Sequence, residues 1–149
     1  MPGIREQIEA MKEIWTQSTA AYNGEIVKIP SMQTWPKPVQ KPHPPILLGG
    51  AFPWAARRAI RYGDGWYPTG GGGNLEEYLP RFREMAVEAG RDPQSLPVTI
   101  GGVPEDLAQL QRLRDLGVAR VVTPLPPEKA DKLLPILDRW AGLIRQVHA

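Results

Sequence analysis

The clearest potential for chemistry lies in the backbone of Gly49, Gly50 and Ala51. These residues follow a short apolar run, 46–48, that is typical of a parallel strand covered on both faces, and they precede Pro53, which fits the first turn of a helix. Free N–H groups at a helix N-terminus, together with the helix dipole, form an anion site. We therefore expect these three backbone positions to be able to hold a phosphate. The alternative is that the glycines only make a tight turn, because a glycine pair before a helix is a weak signal.

Side chains give no recognisable catalytic or metal site. Asp64 lies between two glycines, where a short polar side chain commonly bonds its own backbone. No second ligand stands at metal-ligand spacing from His43 or His148, so no metal site is predicted. No Ser–His–Asp set or carboxylate pair stands out, and the catalytic residues stay unassigned. If this chain takes part in chemistry, a cofactor must carry it.

Basic and glycine-rich segments near the turn have ordinary structural interpretations. Arg57, Arg58 and Arg61 are expected on the solvent-exposed face of helix 53–62, with a phosphate contact left open for one of them. The run Gly70–Gly73 lacks the Lys-Ser/Thr pair of a P-loop, which favours a mobile lid or linker. The tryptophans are scattered along the chain, which favours packing over a stacking platform.

Composition excludes several classes of function. The 149 residues are enough for one domain, and 18 Lys and Arg against 16 Asp and Glu give no global charge that favours nucleic acid or an acidic membrane. The chain has no cysteine, which removes disulfides, thiolate nucleophiles and zinc–sulfur sites. No apolar run approaches the ~20 residues of a membrane span, and residues 1–5 lack the apolar core of a signal peptide. A cytoplasmic protein is expected.

Alternating strand and helix patterns supply the elements that would position the turn. We interpret residues 1–149 as one domain, with a leading helix over 1–17, a hairpin and proline-rich insertion over 18–45, and four βα units over 46–149. The hairpin is predicted from the Asn23-Gly24 pair, which favours a tight turn. Its arms are predicted over 19–22 and 25–29. The strands of the βα units are predicted at 46–48, directly after Gly63, at 97–101 and at 118–125. Their helices are predicted at 53–62, 75–89, 104–116 and 127–147, with a bend or split at Pro80 and a break near Pro135.

Helix ends and faces are predicted from single residues. Gly63 is expected to end its helix in the left-handed conformation, and Asn74 is expected to cap helix 75–89. The inner side of helix 75–89 is predicted to carry Leu75, Leu79, Phe82, Met85 and Val87.

Four strands, each followed by a helix, predict an α/β fold with a parallel sheet. The two common closures of such a sheet are an open doubly wound sheet and part of a (β/α)8 barrel. The residue pattern leaves both closures open.

Several ordered runs resemble the luciferase-like oxidoreductases, and within them the deazaflavin (coenzyme F420)-dependent branch. The longest begins at Trp35-Pro36-Lys37-Pro38 and ends at Pro45-Ile46-Leu47-Leu48-Gly49-Gly50. The others are Ala55-Ala56-Arg57-Arg58-Ala59, Gly63-Asp64-Gly65-Trp66-Tyr67-Pro68-Thr69-Gly70, Glu88-Ala89-Gly90-Arg91-Asp92-Pro93 and Leu116-Gly117-Val118-Ala119-Arg120-Val121-Val122.

The resemblance implies half of a (β/α)8 TIM barrel, covering strands five to eight, with the insertion that precedes strand five. A full barrel has ~250 residues. In this family the turn after strand five holds the cofactor phosphate, which implies cofactor-binding roles for Gly49, Gly50 and Ala51. The turn after strand six lies at the barrel mouth, which implies roles for Thr69 and Gly70. The implied cofactor is coenzyme F420, with FMN as the alternative.

The resemblance to half of a barrel leads to two predicted functions of different class. The first is the C-terminal half of a deazaflavin- or flavin-dependent oxidoreductase or monooxygenase that transfers a hydride between the cofactor and a small organic substrate. The second is a non-catalytic half-barrel remnant. A half barrel would leave unpaired strand edges near Ile46–Leu48 and Arg120–Thr123, and unpaired edges form hydrogen bonds readily with another strand. We therefore expect either a homodimer that closes an eight-stranded barrel or a complex with a separate N-terminal half.

Overall fold

The computed structural model describes residues 2–69 and 74–148. Two compact units are present, Met1–Ile46 and Leu47–Ala149. The first unit contains α1 (Pro2–Thr16), β1 (Ala20–Asn23) and β2 (Lys28–Met32). The second contains β3 (Leu47–Gly49), α2 (Trp54–Tyr62), β4 (Gly65–Tyr67), α3 (Leu75–Glu88), a 3-10 turn (Pro93–Ser95), β5 (Thr99–Gly101), α4 (Leu107–Asp115), β6 (Arg120–Val122) and α5 (Ala130–Val147). Within the described residues, no helix is both long and apolar enough to cross a membrane.

In the first unit, the carboxylate of Glu6 on α1 organises the loop between the hairpin strands. Glu6 is 1% exposed, and it accepts backbone N–H groups from Glu25 at 3.2 Å, Ile26 at 2.8 Å and Val27 at 2.9 Å. The N–H groups of Val27 and then Ile26 are the main causes that hold the pKa of Glu6 below its usual value. A Cβ on Gly24 would collide with this carboxylate, so glycine permits its close approach.

The antiparallel hairpin is confirmed, but the predicted tight turn at Asn23-Gly24 is wrong. Asn23 pairs with Lys28, and the strands are joined by the loop 24–27. The second arm is therefore 28–32 rather than 25–29. The physical reason is the Glu6 carboxylate, which binds the N–H groups of this loop and so keeps them out of the strand ladder.

The proline-rich segment that follows β2 has no helix or strand over residues 33–46, as its composition predicts. It is held against the end of α1 by two side chains. The Nζ of Lys37 donates to the Ile14 carbonyl at 2.6 Å, and the Thr34 hydroxyl donates to the same carbonyl at 3.2 Å. These bonds satisfy the Ile14 carbonyl, because a carbonyl in the last turn of a helix receives no N–H group from within that helix.

The second unit consists of four parallel strands, each followed by a helix, which confirms the predicted alternation. Strand β3 pairs with β4 from Leu47↔Gly65 to Gly49↔Tyr67, and β5 pairs with β6 from Thr99↔Arg120 to Gly101↔Val122. A parallel bridge between Trp66 and Val98 joins β4 to β5. The strand order is therefore β3-β4-β5-β6.

The core of this unit centres on Trp66 in β4, which is fully buried. The Trp66 and Phe82 rings lie 5.2 Å apart at 46°, so α3 packs on the strand through an aromatic pair. Helix α2 presents three fully buried alanines, Ala55, Ala56 and Ala59. Small side chains let this helix approach the strands closely.

Gly63 ends α2, but the predicted left-handed conformation is wrong. Its φ is −96° and its ψ is 178°, which is extended backbone. Glycine is needed here for space, because a Cβ would collide with the Leu48 side chain and lie 3.2 Å from the Ala59 carbonyl oxygen.

The inner stripe of α3 contains Leu79, Phe82 and Ala86, all buried. The prediction that Val87 lies on this side is wrong, since it is 64% exposed. Positions 75, 79, 82 and 86 follow the helical spacing of four and three residues, whereas Val87 lies a further 100° around the helix.

Neither the predicted split at Pro80 nor the predicted break at Pro135 occurs, since α3 and α5 run through these prolines. Each proline is the sixth residue of its helix. The hydrogen bond that it removes therefore involves a carbonyl in the first turn, and the rest of the helix keeps its bonding pattern.

Candidate functional site

The turn between β3 and α2 is fixed from the neighbouring strand. Gly50 has φ +133°, a conformation that side chains with L chirality rarely adopt. Its N–H donates to the Tyr67 carbonyl at 3.1 Å. Its carbonyl accepts the indole Nε1–H of Trp66 at 3.1 Å and the N–H of Thr69 at 3.4 Å. The glycine turn is thus held in one conformation by β4 and the residues that follow it.

The hydrogen bonds of this turn change which N–H groups are available to a ligand. The Gly50 N–H is engaged with Tyr67, so Gly50 contributes the absence of a Cβ rather than a donor. Within the described residues, no hydrogen bond engages the N–H groups of Ala51 and Phe52. The available backbone donors are therefore those of Ala51, which was predicted, and Phe52, which follows it. The assignment of these residues to a cofactor stays a prediction.

Arg58 lies over the same turn, although the sequence placed it with Arg57 and Arg61 on the exposed face of the helix. Its Nη2 lies 3.5 Å from the Gly49 carbonyl oxygen, and it lies 3.2 Å from the position that a Cβ on Gly50 would occupy. Its Nε is buried and has no acceptor among the described residues. Arg57 and Arg61 are exposed, whereas Arg58 is half-buried. One side chain of the three is therefore directed at the glycine turn.

A sequence signal for this orientation exists in the helical spacing. Ala55 faces the turn, since its Cβ lies 3.0 Å from the position of a Cβ on Gly50. Arg58 follows Ala55 by three residues, and residues three apart lie on the same face of a helix. The alanines mark the inner face, so the arginine at that spacing could have been singled out.

Aromatic side chains form an apolar wall beside the turn. The Phe52 ring stacks on Tyr78 with centroids 4.6 Å apart and planes 9° apart, and it tilts against Trp66 at 5.9 Å. Trp66 was predicted to serve packing, and its burial agrees with that role. Trp54, at the start of α2, is 66% exposed and has the Arg57 guanidinium over its ring at 5.2 Å.

The charge around the turn is positive. Helix α2 carries Arg57, Arg58 and Arg61 and no acidic residue, and its N-terminus carries the positive end of the helix dipole. An open groove of about 520 Å³ between α2 and α3 begins at Phe52 and Pro53 and contains Arg57, whereas Arg61 lies in the last turn of α2 and lines the groove together with Arg81 and Glu88. This end of the unit favours an anion.

The carboxyl end of β4 supplies the other predicted site residues. Thr69 is exposed and lies against the turn through its bond to Gly50. Gly70 lies outside the described residues. Tyr67, which was not predicted, extends across to β5, because a Cβ on Gly101 would collide with its hydroxyl.

Two further cavities lie away from the glycine turn. One of about 170 Å³ lies at the carboxyl end of β5, where Gly101, Gly102 and Val103 line it together with the first turn of α3 and one side of α4. The other, of about 530 Å³, is a mainly apolar groove between α4, β6 and α5. Among residues 2–69 and 74–148, no three His, Asp or Glu side chains cluster as metal ligands would.

Comparison with known proteins identifies the family. The model of the luciferase-like monooxygenases matches residues 2–104. The chain belongs to the luciferase-like monooxygenase family. The resemblance seen in the sequence is therefore confirmed, and the α/β fold with short parallel strands agrees with it.

Relatives within this family use two related cofactors. An uncharacterized protein of Mycobacterium tuberculosis is 39% identical over 146 residues, which is 93% of this chain and 49% of the relative. An F420-dependent glucose-6-phosphate dehydrogenase of Segniliparus rotundus is 35% identical over 60% of this chain and 27% of its own length. An FMNH(2)-dependent dimethylsulfone monooxygenase of Pseudomonas putida is 41% identical over 44% of this chain and 18% of its own length.

Solved structures support the fold. An F420-dependent secondary alcohol dehydrogenase in complex with an F420-acetone adduct superposes with a TM-score of 0.54 at 17% identity. The superposition covers 93% of this chain and 52% of that one. The M. tuberculosis relative and this solved structure match nearly the whole of the chain, and the chain spans about half the length of each.

Proposed function

We propose that this chain provides the phosphate-binding end of a deazaflavin- or flavin-dependent oxidoreductase, with coenzyme F420 as the first candidate and FMN as the second. The observation that carries the proposal is the set of unengaged donors at the β3–α2 turn. The N–H groups of Ala51 and Phe52 have no acceptor among the described residues, the Arg58 Nη2 lies 3.2 Å from the position of a Cβ on Gly50, and the buried Nε of the same guanidinium is unpartnered.

The fit of these residues to a phosphate is chemical. A guanidinium has five N–H donors and no acceptor function, so a buried Nε without a partner favours an anion with several oxygens. A phosphate offers such oxygens, and both candidate cofactors carry one. The positive helix end adds to the attraction. A neutral ligand would leave the Arg58 donor poorly satisfied.

The fixed conformation of the turn supports binding rather than simple chain reversal. Gly50 is bonded on both its N–H and its carbonyl, so the following N–H groups do not need to reorganise when a ligand binds. Preorganised donors bind with a smaller entropic cost than donors on a loose loop. Trp66 is a positioning residue for the turn, because its indole holds the Gly50 carbonyl.

When bound, either cofactor would supply a reduced ring able to transfer a hydride to a small organic substrate. The residues of this chain would hold its phosphate through Ala51, Phe52 and Arg58. Phe52 and Tyr78 would exclude water beside the turn, since their stacked rings form an apolar wall there. Hydride transfer is proposed for the complete catalytic assembly, and the F420-dependent dehydrogenase among the relatives supports it.

Cofactor titration of matched arginine variants tests the proposal. The purified chain and its Arg58→Gln and Arg61→Gln variants are titrated with F420 and, separately, with FMN, followed by fluorescence. The Arg58→Gln variant loses a charged hydrogen bond to the phosphate, so its dissociation constant for the cofactor is expected to be about 10- to 100-fold higher than that of the wild type. Arg61→Gln is the control, because Arg61 is exposed on the same helix.

Two results would contradict the proposal. One is equal affinity of the two variants, which would remove Arg58 from the site. The other is the absence of binding of both cofactors at near-millimolar concentration. The turn would then be architectural, and the non-catalytic half-barrel would become the better interpretation.

A further inference from the structure

Tyr67, the last residue of β4, lies on the face of the sheet opposite to the helices. Its neighbour Trp66 faces α3, because the Trp66 ring packs on Phe82 at 5.2 Å. Successive side chains of a strand point to opposite faces, so the Tyr67 ring lies on the other face. Ligands of parallel βα folds bind at the carboxyl ends of the strands, and Tyr67 stands at this end of β4.

A glycine on each neighbouring strand leaves space around the Tyr67 ring. Gly49 pairs with Tyr67 in the register of β3 and β4. Gly101 lies on β5 beneath the Tyr67 hydroxyl, where a Cβ would collide with that hydroxyl. Gly101 has no positive φ, so its backbone conformation does not require glycine. The glycine at this position is therefore explained by the Tyr67 side chain, which it allows to extend across β5.

The Tyr67 hydroxyl has no structural use in the second unit. No described residue of this unit donates a hydrogen bond to it or accepts one from it. Thr99 stands beside it on β5, since Val98 bridges to Trp66 and Thr99 follows Val98. The Thr99 hydroxyl is buried, and it also lacks a partner among the described residues. Hydroxyls that are left unpaired in this way call for a functional explanation.

The backbone of Tyr67 joins this hydroxyl to the glycine turn. The Tyr67 carbonyl accepts the Gly50 N–H at 3.1 Å, so Tyr67 and the turn are held in a fixed relation. The hydroxyl lies over β5, two strands away from β3, and two strand spacings are roughly 10 Å. In FMN and in F420, a polyol chain of comparable reach joins the phosphate to the ring. A cofactor whose phosphate binds at the turn can therefore place its uncharged part beside Tyr67.

We propose that Tyr67 binds the uncharged part of the cofactor, through a hydrogen bond between its hydroxyl and a neutral oxygen of the polyol chain or of the adjoining ring. A tyrosine hydroxyl both donates and accepts, so it suits a hydroxyl or a carbonyl group, whereas the cationic Arg58 suits the phosphate. Gly101 positions Tyr67 by leaving room for its hydroxyl. The inference rests on the proposed function for the choice of ligand, and it adds a second point of contact.

Ligands with and without the phosphate separate the two contacts. Wild type, Tyr67→Phe and Arg58→Gln are titrated with FMN and with riboflavin, which is FMN without its phosphate, and fluorescence gives the dissociation constants. Tyr67→Phe removes one hydrogen bond, so it is expected to raise the dissociation constants of both ligands about 3- to 10-fold. Arg58→Gln is expected to raise only that of FMN. F420 and its phosphate-free deazaflavin–ribitol core form the second pair of ligands.

Further variants separate ligand contact from a structural role. Tyr67→Phe keeps the ring, so its melting temperature by circular dichroism is expected to equal that of the wild type. Gly101→Ala displaces the hydroxyl without removing it, and it is expected to weaken the binding of both ligands to a similar extent. Tyr62→Phe is the control, because Tyr62 is the last residue of α2 and lies near the amino end of β4. This control is expected to leave both dissociation constants unchanged.

The inference and the proposed function fail in different ways. Unchanged dissociation constants of FMN and riboflavin in Tyr67→Phe would overturn the inference, and weaker binding of FMN by Arg58→Gln in the same series would leave the proposed function standing. Riboflavin binding that depends on Tyr67, together with no effect of Arg58→Gln on FMN, would support the inference and contradict the phosphate site. Riboflavin that does not bind at near-millimolar concentration would also overturn the inference, since the uncharged part would then contribute too little.

Discussion

Replacing Gly50 by alanine is expected to destabilise the fold, because its backbone conformation and its surroundings both exclude a side chain. At φ +133° a residue with a Cβ is strained, by about 1–3 kcal/mol. The new Cβ would also lie 3.0 Å from the Ala55 Cβ and 3.2 Å from the Arg58 Nη2. The first contact presses on the helix and the second displaces the guanidinium.

The neighbouring glycine provides a matched control. A Cβ on Gly49 would meet only the Tyr67 carbonyl oxygen, at an ordinary 4.0 Å, and Gly49 has no positive φ. We therefore expect Gly49→Ala to change the free energy of unfolding by less than about 0.5 kcal/mol. Gly50→Ala is expected to lower it by about 1–3 kcal/mol.

Urea denaturation followed by tryptophan fluorescence measures both values, since the chain contains five tryptophans. The melting temperature provides a second readout, with about 2–4 °C expected for each kcal/mol in a chain of this size. Equal stability of the two variants would refute the reasoning, because it would show that the turn relaxes freely around a side chain.

Two further predictions concern buried polar groups. The Thr99 hydroxyl is buried without a partner among the described residues, so Thr99→Val is expected to keep or raise the melting temperature. A free energy of unfolding lowered by more than about 1 kcal/mol would contradict this. The pKa of Glu6 is lowered in the folded chain, so its contribution to stability is present above its usual value of 4.5 and is lost as the pH falls through the folded pKa. The free energy of unfolding, measured by urea titration at several pH values, is therefore expected to fall more on acidification for the wild type than for Glu6→Gln. Equal falls for the two proteins would contradict the role of this carboxylate.

Local sequence signals predicted the elements of the fold because they act over a few residues. Apolar spacing predicted Leu79 and Phe82 on the inner face of α3, and the predicted start of α4 contains Asp106, which accepts the Gln109 N–H at 3.1 Å. Gly117, with φ +82°, ends α4 in the left-handed conformation that glycine favours. These features need no information from distant parts of the chain.

The errors arise where a distant residue decides the local structure. The loop 24–27 is set by the Glu6 carboxylate, 20 residues before Ile26. The Gly50 carbonyl is held by Trp66, 16 residues later, on the neighbouring strand. Spacing along the chain does not contain these pairings, because they depend on how the elements pack.

The candidate site was predicted in part. The glycine turn was located from the strand, the glycine pair and the proline, and the structure shows it at the start of α2. The engagement of the Gly50 N–H by the next strand could not be predicted from the sequence, whereas the spacing of Arg58 from Ala55 could have singled out that arginine.

The most direct test of the central claim is the proton–nitrogen NMR spectrum of the chain during titration with F420. The account predicts saturable downfield shifts of the Ala51 and Phe52 amide protons and of the Arg58 Nε–H, with a smaller change at Gly50, whose N–H is already bonded to Tyr67. Saturable shifts that leave these three groups unchanged would contradict the account, since the cofactor would then bind elsewhere.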